Sequence, residues 1–171
     1  MLHIYYGNGK GKTTAAVGLS VRACGAGLKA AFFQFLKNGS SSEISILRSM
    51  KNIEVICCEE CNKFTFQMND AEKQNVERCH NEMLKKAADM LENKSVQLIV
   101  LDEFIDAYNK KLIDTELADV FIKNCADKCE IVMTGRMPTD ELKKQAAYLT
   151  EMTAVKHPFE KGITARKGIE Y

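Results

Sequence analysis

Residues Gly7, Asn8, Gly9, Lys10, Gly11, Lys12, Thr13 and Thr14 bring glycines, lysines and hydroxyls together between an apolar run, Leu2–Tyr6, and a helix-like start, Ala15-Ala16-Val17. The chemistry this supports is anion binding. A strand that ends in a glycine turn and opens a helix aims several backbone N–H groups at one point, and the positive end of the helix dipole reinforces them. In the P-loop pattern G-x-x-x-x-G-K-[ST], the lysine reaches the β/γ-phosphates and the hydroxyl reaches Mg²⁺. Gly11, Lys12 and Thr13 fit the second half of that pattern. Tyr6 stands where its first glycine belongs, and Gly7 makes the loop one residue shorter. A triphosphate therefore need not lie in this loop the usual way round.

Further charged groups stand at the ends of other apolar runs. Residues 96–101 end in Asp102-Glu103, the arrangement in which a carboxylate reaches a Mg²⁺ shell downstream of a phosphate loop. Residues 130–134 deliver Gly135-Arg136, and an arginine fork there could hold phosphate oxygens or simply pair with a surface carboxylate. Residues 30–36 end in Lys37-Asn38-Gly39 and serines, so Lys37 is either a second cation or a solvated loop lysine. In an open parallel sheet the ends of the strands face the ligand crevice, which would bring these groups together.

The elements that must position them alternate. Strand-like runs at 2–6, 30–36, 53–57, 96–101, 130–134 and 149–155 are interleaved with helical patterns at 13–24, 69–91, 104–109, 114–124 and 139–147. Asn69 caps the long third-layer helix, with Glu72 in the capping-box position and Val76, Cys79, Met83, Ala87 and Leu91 following on one face. The pattern predicts an α/β, three-layer P-loop NTPase fold, RecA-like, with a mainly parallel sheet, built as one domain over 1–171.

Composition narrows the function classes. A net charge of +1 over 171 residues gives no global field for nucleic acid or an anionic membrane, and no run of apolar residues is long enough to span one. No signal-like segment precedes the first strand, so a cytoplasmic protein is expected. The odd count of seven cysteines points to reduced thiols. Cys58 and Cys61 have C-x-x-C spacing, with Cys79 and His80 further on, but the second half lacks the paired spacing of a zinc site. Phe64 and Phe66, taken alone, read as core-facing aromatics in a polar loop. His157 has no nucleophile pattern near it and is not read as catalytic.

The chain resembles the ATP:corrinoid adenosyltransferases in G-N-G-K-G-K-T-T at 7–14, Phe35-Leu36-Lys37, Phe64-Thr65-Phe66, Leu101-Asp102-Glu103, Thr134-Gly135-Arg136, Thr150-Glu151-Met152 and Lys156-His157-Pro158-Phe159, with Gly162-Ile163 and Gly168-Ile169-Glu170. The resemblance implies transfer of the 5′-deoxyadenosyl group of ATP to the Co(I) centre of a corrinoid, with triphosphate leaving and ATP lying reversed in the loop. It implies that Gly7–Thr14, especially Lys10 and Lys12, bind the triphosphate and that Thr13 and Glu103 hold Mg²⁺ with Asp102 in support. Arg22 and Arg136 would lie near ATP. Phe64 and Phe66 would displace the corrinoid's lower ligand, easing reduction of the cobalt. Lys12, Thr13, Glu103 and Arg136 are the expected catalytic groups. A homodimer is implied, as is flavodoxin or another reduced-flavin electron donor.

Three features depart from the family. Phe66 stands where tryptophan is common, the turn at Lys37 is looser than the usual Lys-Gly version, and the chain starts at the first strand without the N-terminal helix of some members. Two other classes use the same loop: a P-loop ATPase or small-molecule kinase, which would cleave at the γ-phosphate, and a non-catalytic nucleotide switch or nucleic-acid-bound module. The near-neutral charge disfavours the last of these.

Overall fold

The computed structural model describes residues 1–125 and 128–170. Six strands, β1 (Leu2–Tyr6), β2 (Ala30–Gln34), β3 (Ile53–Cys57), β4 (Leu98–Asp102), β5 (Glu130–Gly135) and β6 (Tyr148–Glu151), form one sheet in the order β3-β2-β4-β5-β1-β6. Every pairing is parallel. All strands therefore end at the same edge of the molecule, which gathers Gly7, Phe35, Cys58, Glu103, Arg136 and Met152 there.

Helices cover both faces because successive strand residues point to opposite sides. Phe32, Leu98, Val100 and Val132 pack with Ala16 and Ala23 of α1 (Lys12–Gly25) and Ile44 and Leu47 of α2 (Ser42–Ser49). Phe33, Ile99, Leu101, Ile131 and Met133 face the other way. They meet Val76, Met83, Leu84 and Ala87 of α3 (Asp70–Glu92), Phe104 of α4 (Phe104–Asn109), Phe121 of α5 (Thr115–Cys125) and Leu142 of α6 (Asp140–Gln145). Burial of each of the larger of these side chains contributes about 1.5–3 kcal/mol. β2 and β4 are buried at every position, as strands covered on both faces must be.

The capping box at the start of α3 forms as its sequence predicts. Asn69 Oδ1 accepts the Glu72 N–H at 2.9 Å, and Glu72 Oε2 accepts the Asn69 N–H at 2.9 Å. α2 has no counterpart among the elements read from sequence: it is only eight residues long, and its buried side chains are Ile44 and Leu47. Strands β2 and β6 stop earlier than their apolar patterns suggest. Leu36, expected to continue β2, instead takes a left-handed conformation at φ 56°. Among the described residues, no helix is long and apolar enough to cross a membrane.

Candidate functional site

The glycine loop is held against the segment that follows β6. The Gly9 N–H donates to the Met152 carbonyl at 2.6 Å, the Met152 N–H donates to Tyr6 at 2.7 Å, and the Ala154 N–H donates to Asn8 Oδ1 at 3.0 Å. A Cβ on Gly7 would stand 2.5 Å from the Met152 carbonyl oxygen, and one on Gly9 would stand 2.6 Å from it, so the loop can lie this close only without side chains at both positions. Gly11, at φ 113°, turns the chain into α1 with no side-chain cap. The first N–H groups of α1 thus have no intrahelical acceptor and point out of the loop. Lys12 Nζ donates to the Gly9 carbonyl at 2.8 Å. Its ammonium is pulled below the ordinary lysine value by burial, with Glu103 opposing and Arg136 adding to the effect.

Asp102 is the fixed point of the site. It is wholly buried, yet both of its carboxylate oxygens have partners. Oδ1 accepts the hydroxyls of Thr13 and Thr134, each at 2.8 Å, while Oδ2 lies 3.4 Å from Gln34 Nε2 and 3.5 Å from Lys37 Nζ. Thr134 sits on β5, the strand between β4 and β1, and its hydroxyl also accepts the Glu103 N–H at 2.9 Å. One carboxylate therefore ties the phosphate loop to three strands. Glu103 follows in a left-handed conformation at φ 60°, a geometry that costs a non-glycine residue about 1–3 kcal/mol and that packing must sustain. Its carboxyl is raised by burial and by Asp102, with Lys37, 4.0 Å away, opposing. Burial alone would lower Lys37, but Asp102 and Glu103 outweigh it and hold the ammonium above its ordinary value.

Thr13 and Lys37, the two groups that hold Asp102 from either side, line an open cleft of ≈ 470 Å³. Lys10, Thr13 and Thr14 form one side, Lys37 and Glu43 the floor nearest β2, and Gly168-Ile169-Glu170 of the C-terminal tail the remaining wall. A polyanion entering here would meet α1's N–H groups, two lysines and the loop backbone. Oxygen donors at Thr13, Asp102 and Glu103 suit a hard divalent cation such as Mg²⁺. Gln34 Oε1, buried without a protein partner among the described residues, leaves an acceptor free beside that set.

The other expected residues fall in different places. Arg136 follows β5, with its N–H on Asp106 Oδ2 at 2.8 Å and its carbonyl accepting from Gly7 at 3.1 Å, which puts it at the base of the loop. Arg22 lies on the last turn of α1, roughly 15 Å along the axis from the loop at 1.5 Å per residue, and does not border the cleft. Phe64 and Phe66 are 71% and 81% exposed, with rings stacked at 5.6 Å and 8°. This overturns their reading as core aromatics: the connector that carries them runs on from β3, the edge strand, and forms only a short 3₁₀ turn over Thr65–Gln67.

Sequence reasoning did not single out Gln34, Glu43, Asp106 or the close approach of Met152. The signal for Gln34 was a lone polar residue inside an otherwise apolar run. The signal for Met152 was the pair of glycines that nothing but a neighbouring backbone would require.

Solved structures support the fold at low identity. The flagellar accessory protein FlaH of Methanocaldococcus jannaschii aligns with a TM-score of 0.56 at 12% identity, over 88% of this chain and 69% of its own. ATPases 2 and 3 of EssC from Geobacillus thermodenitrificans align at 0.51 and 15%, over 99% of this chain and 36% of theirs. Sequence relatives are more specific. The corrinoid adenosyltransferase of Pseudomonas aeruginosa is 33% identical over 175 aligned positions, covering 100% of this chain and 83% of that protein. That of Escherichia coli is 29% identical over 168, covering 98% and 84%. The family profile of the ATP:corrinoid adenosyltransferases BtuR/CobO/CobP matches residues 1–171. With the loop, the buried aspartate and the whole length of the chain in agreement, this protein belongs to the ATP:corrinoid adenosyltransferases.

Proposed function

We propose that the chain transfers the 5′-deoxyadenosyl group of ATP to the Co(I) centre of a corrinoid and releases inorganic triphosphate. The observation that carries this reading is the shortened loop seated on the Met152 backbone, with the Asp102–Glu103 pair tied to it through Thr13. In the reaction the electron pair of Co(I) forms the Co–C5′ bond. The C5′–O bond breaks, its electrons leave on the triphosphate, and the cobalt ends as Co(III). Negative charge grows on the leaving phosphate, so fixed donors aimed at it are what accelerate the step.

Within this reading, the N–H groups of Gly7–Thr14 with Lys10 and Lys12 grip the triphosphate, and Arg136 adds a fork at the base of the loop. Thr13 and Glu103 would hold Mg²⁺, with Asp102 behind them. When bound, Mg²⁺ neutralises triphosphate charge. Lys37 keeps the two carboxylates from repelling each other. Phe64 and Phe66 offer exposed apolar faces to the corrinoid and displace its lower ligand, and the electron comes from flavodoxin or another reduced flavin. Cytoplasmic location is supported by the odd count of seven cysteines, which suits reduced thiols. A homodimer is supported by β6, an edge strand exposed at all four positions, and sedimentation at equilibrium checks it.

Product analysis tests the transfer itself. With Mg-ATP and a chemically reduced corrinoid, equimolar adenosylcorrinoid and triphosphate are expected. ADP with orthophosphate, or a phosphorylated acceptor, would sink the assignment. Running cobalamin beside cob(I)yrinic acid a,c-diamide identifies the preferred acceptor.

A further inference from the structure

Away from the nucleotide loop, the connector after β3 begins with two buried thiols. The Cys61 N–H donates to the Cys58 carbonyl at 3.1 Å, a tight turn that brings residues 58 and 61 together. Helix α3 faces them with His80, which is wholly buried. Cys58 Sγ, Cys61 Sγ and a ring nitrogen of His80 all lie within 4.8 Å of one another, and Cys61 Sγ stands 3.6 Å from His80 Nε2. Cys79, the residue before His80, lies outside this group.

The histidine is oriented as a ligand would be. Its Nδ1 lies 2.7 Å from the Leu112 carbonyl, which can only accept, so the proton is on Nδ1 and the Nε2 lone pair faces the thiols. A metal-binding imidazole is characteristically held in this way through its second nitrogen. The Leu36 N–H also donates to Nε2, at 3.2 Å, and must be released to water if that lone pair is to be used. Leu36 is only partly buried, so water can reach it.

We propose that Cys58, Cys61 and His80 form a Cys₂His site for a divalent cation of the Zn²⁺ class, its fourth position open to water, and that it clamps the base of the Phe64–Phe66 connector to α3. Zn–S bonds of about 2.3 Å and Zn–N bonds of about 2.0–2.1 Å give tetrahedral edges of about 3.6 Å between S and N and about 3.8 Å between sulfurs. The observed Cys61–His80 separation is one such edge, and the other two among these three ligands, each within 4.8 Å, close by about 1.2 Å or less. Soft thiolate with imidazole selects Zn²⁺ over the hard cation expected at the oxygen donors of Thr13 and Glu103.

The clamp has a mechanical consequence. Past Cys61 the connector makes only the 3₁₀ turn Thr65–Gln67 before Asn69 caps α3, so the cation would tie down a segment with little regular structure of its own. Through Leu112, His80 also ties the connector to the junction before α5.

The test uses the full chain, reduced with a phosphine and stripped by a chelator, then titrated with Co²⁺ and Zn²⁺ in saturating Mg-ATP. Expected are one equivalent of bound Co²⁺ with sulfur-to-cobalt charge-transfer absorption and tetrahedral d–d bands, full displacement by Zn²⁺, and slower hydrogen exchange across residues 58–68. Cobalt on oxygen donors alone gives no sulfur band, so the nucleotide loop cannot imitate the result. Cys58→Ser with Cys61→Ser should abolish the band, and Cys79→Ser, outside the three-ligand group, should leave it in place. A wild-type chain without sulfur-to-cobalt absorption, or one whose native thiols are recovered as a Cys58–Cys61 disulfide, overturns the proposal whether or not the variants fold. Loss of the band in Cys79→Ser overturns the three-ligand set. None of these readouts involves adenosyl transfer.

Discussion

Lys12 and Glu103 show how single side chains in the cleft carry opposite demands. Lys12 brings positive charge from the loop to the acid pair, and half-buried it is worth more than it would be in water. Lys12→Ala should lower kcat/KM by roughly 10²–10³, the usual loss when one preorganised donor is removed from developing charge; steady-state kinetics with wild-type rates would refute its role. Glu103 has the reverse character. A carboxyl whose folded pKa is raised stabilises the fold only while protonated: its contribution is full below the ordinary value of 4.5 and is lost as pH rises through the raised folded value. Once ionised, the group therefore costs stability. Without Mg²⁺ and nucleotide, Glu103→Gln should raise Tm by roughly 2–4 °C, the response to about 1 kcal/mol in a chain of this size. The gain should vanish in acid while turnover is lost. A lower Tm at neutral pH would show that Lys37 more than compensates the buried charge. Both residues stood out in the sequence because lysine and carboxylate sit at motif positions. Gln34 and Thr134, which hold Asp102 in place, have no charge to mark them and become visible only through contacts between strands.

At the scale of elements, what could be read in advance depended on whether a segment's structure is decided locally. The capping box of α3 lies within four residues and formed as read. β2 and β4 are continuous apolar runs whose burial on both faces follows from hydropathy. α2 follows a serine-rich turn and is helical because Ile44 and Leu47 close the core beside Phe32, a tertiary reason. Phe64 and Phe66 failed for the complementary reason: aromatic residues predict burial, and nothing local reveals that their connector passes the edge strand. Their exposure yields a sharp expectation for the connector as an element. Phe66→Ala removes a ring that is mostly in water, so stability should change by no more than about 0.5 kcal/mol and ATP affinity should be unaltered. Adenosylation starting from a Co(II) corrinoid should fall, whereas the rate from chemically reduced Co(I) should be nearly preserved. Equal losses from both starting states would mean that the pair positions the corrinoid and has no part in its reduction.

For the molecule as a whole, the parallel sheet explains why residues from both ends of the sequence share one cleft. β1 supplies the loop, and β6, beside it at the sheet edge, leads into the segment on which the loop rests. The chain then returns across the open side, and Gly168, Ile169 and Glu170 face Lys10, Thr13 and Thr14. This wall is stiffened from within: Arg166 forms three hydrogen bonds to Glu170, at 2.8 Å through its backbone N–H and at 3.3 and 3.0 Å through its guanidinium. That pairing, with Lys10 contributing, brings the Glu170 carboxyl down to about 2. The tail is largely exposed and adds little to either core cluster, so removing residues 164–171 should leave the thermal midpoint of the ligand-free protein nearly unchanged. It should nevertheless open the cleft on the side facing the loop lysines. The expected result is weaker ATP binding by calorimetry, together with a larger fraction of corrinoid lost to side oxidation per turnover, because a site that admits water and oxidants no longer protects Co(I). A truncated chain that binds ATP as tightly as the full chain and couples turnover equally well would show that the tail only borders the cleft and does not close it.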